Sequence, residues 1–325
     1  MAIQPRMLPS SSHPQAQRIR TGINDWLAEY WPFPSGIPVE KILAKHDLGG
    51  LAVWCVPTGD ADRLIWAGRL CGLILLADDY IDNDKDLSRI PFMKTAIEGL
   101  EPAAAAAPDP ATASLNITWR AVRMLSSRQE FIWNVKLTKA WFDTHYEPPT
   151  TTLEDYLMAR RANIGVHMFL NWVRWALDFD FDDSILTHPL FCNAEDMVAD
   201  HSGLTNDYYS YEKEKDFESD GMNVVRVLMD RENLDVAAAR QRVHMLLLEK
   251  EQQFWLAAEA VMTDPVLGQN TKVCTYMINL AHVMGGNISW SEENGRYNLT
   301  GVLGYESLRN HVDEMPTACF VPLPI

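Results

Sequence analysis

From Thr21 onward, nearly every segment of the chain repeats its apolar residues at three- and four-residue intervals. Val236, Ala239, Val243 and Leu246 do so in a stretch that runs to Leu248, and Val273 to Val283 repeats the pattern. That interval is the period of an α-helix buried along one face. No stretch alternates apolar and polar residues with the β-branched enrichment that a strand needs. The spacing predicts an all-α protein, a bundle of ten or more helices in one domain, packed around a central cavity. With 325 residues, 47% of them hydrophobic, the chain can fill one large core.

Residues 1–20, polar and rich in Pro, Ser and Gln, read as a disordered arm. Residues 21–305 form the helical domain. Residues 306–325, polar and then apolar with prolines, read as a tail that can act as a lid. Pro102 to Ala113 is low in complexity and reads as a surface loop or a frayed helix between two core helices.

Charge and cysteines narrow the function. Lys plus Arg number 28 against 44 Asp plus Glu, a formal charge of −16. Nucleic-acid phosphates would be repelled, so no such partner is expected. Cys55, Cys71, Cys192, Cys274 and Cys319 are odd in number and widely spaced, which fits neither a disulfide framework nor a zinc site. The N-terminus carries no apolar signal core, and the apolar run Leu73–Ala77 is too short to span a bilayer. These features point to a cytoplasmic protein without a membrane partner. Nothing in them encodes the oligomeric state, and a homodimer is compatible with them.

Two acidic motifs carry the chemistry. Asp78-Asp79-Tyr80-Ile81-Asp82 closes the apolar run, and Asn206-Asp207-Tyr208-Tyr209-Ser210-Tyr211-Glu212-Lys213-Glu214 lies far downstream. Residues four apart on a helix are offset by only about 40°. Asp78 and Asp82 therefore share a face, as do Asn206, Ser210 and Glu214. Two facing stripes of carboxylate, amide and hydroxyl oxygens make a cage for hard cations. Magnesium fits it, because it takes oxygen ligands and readily shares substrate phosphates. Asp82 to Asp86 also hints at a calcium loop, but Leu87 and Met93 stand where glycine and glutamate are required.

DDxxD followed by NDxxSxxKE resembles the class I terpene synthases, the microbial sesquiterpene cyclases in particular. Two further elements fit that resemblance. Arg296-Tyr297, with Trp290 upstream, looks like the family's terminal Arg-Tyr pair. Arg160-Arg161-Ala162-Asn163-Ile164-Gly165 is similar to its diphosphate-sensing arginine and to the helix break where the family's effector carbonyl sits, which implies a catalytic role for Gly165. The spacing to Gly165 favours Arg161 over its equally basic neighbour Arg160. Thr152 reads as the N-cap of the helix that leads to this break.

The resemblance implies the fold of that family and a lyase acting on farnesyl diphosphate. It implies three Mg2+ ions: two at Asp78, with Asp79 and Asp82 as lesser ligands, and one at Asn206, Ser210 and Glu214. Arg161, Lys213, Arg296 and Tyr297 would bind the diphosphate, since a guanidinium fork matches phosphate oxygens. Trp290 and Phe169 are the expected aromatic walls of the cavity. Many relatives carry an aromatic residue shortly before the first aspartate, where this chain has Ile74, Leu75 and Leu76. Other readings are a cyclase acting on geranyl or geranylgeranyl diphosphate, and a helical protein that binds metal or isoprenoid without catalysis. A chain-elongating prenyltransferase would need a second DDxxD, and Asp182-Asp183 does not supply it.

Overall fold

The computed structural model describes residues 8–84, 87–100, 109–146, 152–215, 223–297, 299, 302–305 and 307, with the backbone alone for 82–84 and 146. The described residues form helices and turns, with no strand among them. The first half holds α1 (Ala16–Tyr30), α2 (Val39–His46), α3 (Leu48–Cys55), α4 (Ala61–Asp84), α5 (Ile90–Ala96), α6 (Pro110–Leu125) and α7 (Arg128–Asp143). After these come α8 (Leu153–Asn163), α9 (Val166–Ala176), α10 (Asp183–Leu186), α11 (Pro189–Glu214), α12 (Val224–Glu232), α13 (Val236–Thr263) and α14 (Thr271–Glu293).

Five of these helices close a ring. Each packs on the next in the order α4, α9, α11, α14, α3 and back to α4. The first acidic motif ends α4 and the second ends α11, so helices that are not neighbours in the ring bring the two motifs to one rim. Helix α4 can run through the middle of the protein because Leu70, Leu73, Ile74, Ala77 and Ile81 are all buried. Full burial of such a side chain contributes about 1.5–3 kcal/mol. Helix α13 supports the ring from outside by packing along α11.

Local signals set the helix ends. The Thr152 side chain accepts from the Asp155 amide and starts α8, as the sequence predicts. The Ser127 hydroxyl and the Glu130 carboxylate form a reciprocal capping box at the start of α7. Asp109 caps α6, so Pro110 to Ala113, expected in a loop or frayed helix, belong to its first turn; residues 101–108 lie outside the described residues. The disordered arm expected over residues 1–20 does not extend that far. Helix α1 begins at Ala16, and buried His13 donates its backbone amide to the Val53 carbonyl and contacts the Gly59 carbonyl through its ring.

Past α14, Tyr208 Oη donates to the Leu303 carbonyl, while Tyr209 Oη and the Tyr305 amide both donate to Glu292. This holds residues 302–305 against α11 and α14. Apart from Ser307, the tail expected over residues 306–325 lies outside the described residues.

Candidate active site

The last turns of α4 and α11 face each other across the rim. On α11, Asn206, Ser210 and Glu214 form one stripe, as their spacing requires. A single nitrogen, Asn223 Nδ2 at the start of α12, lies 3.4 Å from Ser210 Oγ and 3.0 Å from Glu214 Oε2. Those two oxygens therefore converge on one point. Asn206 Oδ1 accepts from Arg160 at 2.7 Å beside them. An amide oxygen, a hydroxyl and a carboxylate arranged in this way fit a hard divalent cation whose shell is completed by phosphate or water.

On α4, Asp78 is half-exposed, with His145 Nε2 3.4 Å from its carboxylate. Asp79, expected as a lesser metal ligand, takes part in an ion pair. Arg296 donates to both its oxygens at 2.8 and 2.9 Å, and Lys213 donates to it at 3.3 Å. Burial works to raise the Asp79 pKa, but Arg296 and Lys213 outweigh it and hold the carboxyl below its usual range. The Asp82 side chain lies outside the described residues.

The Arg-Tyr pair joins the two motifs. Arg296 reaches Asp79 on α4, and the Tyr297 hydroxyl accepts from Asn206 Nδ2 at 2.9 Å on α11. Burial, the largest influence, pushes the Tyr297 pKa up to about 12, so it stays a neutral phenol. Trp290, expected in the cavity wall, donates its indole N–H to the Asp47 carbonyl at 2.8 Å, and its ring meets Tyr297 edge-on at 6.0 Å. Phe169 is buried in the main core cluster, and its amide makes the first α9 hydrogen bond, to the Gly165 carbonyl.

The helix break falls where the sequence predicts. Gly165 sits between α8 and α9 with φ +72°, a left-handed conformation that favours glycine. A Cβ there would also press on Trp141 and Met168 at 3.3 Å.

Arg161, expected at the diphosphate, and its neighbour Arg160 take different directions. Arg161 points away from the motifs and pairs with Asp200 and Asp196 further down α11. Its hydrogen bond to Asp200 is the main influence that raises its pKa. Arg160 reaches the rim, donating to Asn206 Oδ1, to Asn163 Oδ1 and to Asp207. The reason lies in helix geometry. Leu153, Tyr156 and Leu157 define the inward stripe of α8, and Arg160 continues its centre while Arg161 lies about 80° to one side. Burial, the largest influence, opposes the Arg160 charge, but Asp207, Tyr156, Glu214 and Asp78 together outweigh it and raise its pKa. Gly203 makes room for the side chain, since a Cβ there would lie 3.2 Å from Arg160 Cγ.

Other residues at this rim lie off the stripe of Asn206, Ser210 and Glu214. Asp207 is fully buried, and accepts from Tyr156 Oη, Arg160 and the Val224 amide. His46, at the end of α2, accepts through Nδ1 from Arg296 at 2.9 Å. Burial, then Arg296, lowers its pKa from 6.5 to about 4. An unfolded His46 gains its proton near pH 6.5 and the folded one only near pH 4. Stability is therefore greatest above pH 6.5 and falls as pH drops towards 4. After discounting for partial exposure, the slope from this group is worth about 1–2 kcal/mol. Urea denaturation at pH 7 and pH 5 should show a smaller acid loss in His46→Asn than in the unaltered protein; an unchanged loss would show that other groups carry it.

The chain belongs to the terpene synthase family: the model for terpene synthase family 2, C-terminal metal binding, matches residues 69–253, from α4 to α13. (+)-Aristolochene synthase TS1 of Penicillium expansum is 24% identical over 314 residues, covering 90% of each chain. 7-epi-alpha-eudesmol synthase ((2E,6E)-farnesyl diphosphate cyclizing) of Streptomyces viridochromogenes is 23% identical over 273 residues, covering 77% of this chain and 79% of its own. Among solved structures, wild-type cucumene synthase superposes with a TM-score of 0.74 at 18% identity, over 87% of this chain and 98% of that one. Aristolochene synthase from Penicillium roqueforti gives 0.73 at 19% identity, over 90% and 99%. No helix among the described residues is long and apolar enough to cross a membrane.

Proposed function

We propose that this terpene synthase is a Mg2+-dependent sesquiterpene synthase that ionises farnesyl diphosphate, cyclises the resulting cation and releases inorganic diphosphate. One observation carries the reading: oxygen ligands from α4 and α11 meet at a single rim together with Arg160, Lys213 and Arg296. Cations set among carboxylates in a chain of charge −16 suit a substrate that arrives as an anion with metals. The relative named for cyclising farnesyl diphosphate supports that chain length.

Asp78 on one side, and Asn206, Ser210 and Glu214 on the other, are the residues that would hold Mg2+. Bound Mg2+ supplies Lewis-acid stabilisation of the charge on the leaving diphosphate. Arg160, Arg296 and Lys213 add fixed positive charge, and the Tyr297 phenol adds a hydrogen-bond donor. These groups favour the dissociating state over bound substrate, which is what lowers a barrier. The allylic C–O bond breaks with its electron pair leaving on the diphosphate oxygen. The cation left behind needs dry surroundings. Ile74, one turn before Asp78 on the same face of α4, and Phe169 on α9, both buried, supply apolar surface.

The test is to incubate purified protein with geranyl, farnesyl and geranylgeranyl diphosphate in turn, with and without Mg2+, and to analyse the extracts by gas chromatography–mass spectrometry. Cyclic C15 products from farnesyl diphosphate, formed only with Mg2+, are expected. Products from another chain length alone would reassign the substrate, and no product from folded protein would overturn the reading.

A further inference from the structure

We propose that Asp196 is a positioning residue that clamps the α8–α9 break, and so fixes how far Arg160 reaches towards the metal stripe of α11. The inference rests on the reading that Arg160 binds the diphosphate.

Asp196 holds one basic group on each side of Gly165. Arg161, in the last turn of α8, donates to Asp196 Oδ2 at 3.0 Å, and His167, in the first turn of α9, meets Asp196 Oδ1 at 2.9 Å. One carboxylate on α11 thus bridges two helices across the residue where they part. Asp200, one turn further along α11, accepts two more bonds from Arg161 at 2.7 and 2.9 Å and pairs with Lys250 of α13 at 3.0 Å. The other side of the break is held from α7. Trp141 Nε1 donates to the Asn163 carbonyl at 2.9 Å, and Asn163 Nδ2 donates to Thr144 Oγ1 at 3.3 Å.

The two neighbouring arginines are therefore splayed along α11. Arg161 is anchored at Asp196 and Asp200, and Arg160 at Asn206 and Asp207. Asp200 and Asp207 are separated by about 10 Å of helix rise. With Arg161 fixed at one end, the register of α8 against α11 is fixed, and Arg160 has one place to go. Helix α9 starts from the same clamp through His167, so the wall that carries Phe169 is set by the same contact. A helix interrupted by a left-handed glycine has lost the continuous hydrogen bonding that would otherwise hold its two halves in line. Contacts from outside must supply that constraint, and among the described residues Asp196 is the one whose ion pairs or hydrogen bonds reach both halves.

The experiment measures Mg2+-dependent affinity for inorganic diphosphate by calorimetry, and product composition from farnesyl diphosphate, in Asp196→Asn, Asp196→Glu, His167→Ala and Arg160→Lys. Asp196→Asn should weaken diphosphate binding about 3- to 10-fold and shift the product pattern, because a small misplacement far from the reacting atoms is felt in positioning. Asp196→Glu should restore both in part. His167→Ala, which cuts only one arm of the clamp, should shift the pattern in the same direction. Unchanged affinity and products in folded Asp196→Asn, or in His167→Ala should the first variant fail to fold, would overturn the clamp even if thermal stability fell. If Arg160→Lys leaves diphosphate affinity unchanged, the reading of Arg160 fails instead. If Arg160→Lys weakens binding and Asp196→Asn does not, only the clamp fails.

Discussion

Glu214→Ala should reduce Mg2+-dependent turnover by about 10²–10³-fold or more while the helical circular dichroism stays unchanged. The magnitude follows from removing a group that acts on charge developing as the bond breaks. Glu214 offers the only carboxylate in the stripe it forms with Asn206 and Ser210, so its loss takes away the formal negative charge those three supply to a cation. The fold should survive because the Glu214 carboxylate sits at the end of α11 and its partner Asn223 keeps a second acceptor, the Asp207 carbonyl. Asn206→Ala and Ser210→Ala should fall in the same direction. Full activity in a folded Glu214→Ala protein would remove this stripe from the metal site.

The second large effect separates adjacent residues. Arg160→Lys should weaken Mg2+-dependent diphosphate binding by about 10- to 100-fold, the equivalent of one or two charge-assisted hydrogen bonds. Lysine keeps the charge but loses the planar fork that reaches Asn206, Asn163 and Asp207 together. Arg161→Lys should cost less, because Arg161 spends its donors on Asp196 and Asp200. Calorimetric titration of both variants decides the matter. A larger loss in Arg161→Lys would return the diphosphate contact to the residue that spacing alone favours. Removing the side chain as Arg160→Ala is the poorer experiment: it strands the buried Asp207 carboxylate, a loss of about 3–5 kcal/mol that confuses folding with binding.

These two arginines also mark how far the sequence could be read. The helices, the stripe of oxygen-bearing side chains on α11, the cap at Thr152 and the break at Gly165 were legible because each depends on local spacing or on one backbone preference. The distance to Gly165 favours Arg161, yet helix geometry decides which of the two reaches the rim. Continuing the stripe of Leu153, Tyr156 and Leu157 selects Arg160. The ion pair of Asp79 was not legible, because a carboxylate in a metal motif and a carboxylate serving as counter-ion have the same local sequence. Only the approach of Arg296, 217 residues away, separates them. The hydrogen bond of Trp290 was not legible for a similar reason, since the carbonyl its indole meets belongs to Asp47, between α2 and α3. His46, His145 and Asn223 had no periodic signal at all, and tertiary packing alone brings them to the rim.

Asp207 has a consequence for how such a chain could lose its activity. It stands inside the second motif, beside Asn206, yet it faces Tyr156, Arg160 and the first amide of α12 and is shut away from solvent. Its neighbours at 206, 210 and 214 face the rim. On the proposed function, one short signature thus mixes two kinds of constraint, one on catalysis and one on the assembly of the fold. A descendant that gave up chemistry and kept its shape would drift first at Asn206, Ser210 and Glu214 and retain Asp207. In such an inert copy the surviving aspartate would record ancestry rather than function, and a search that weighed every motif position alike would misjudge it.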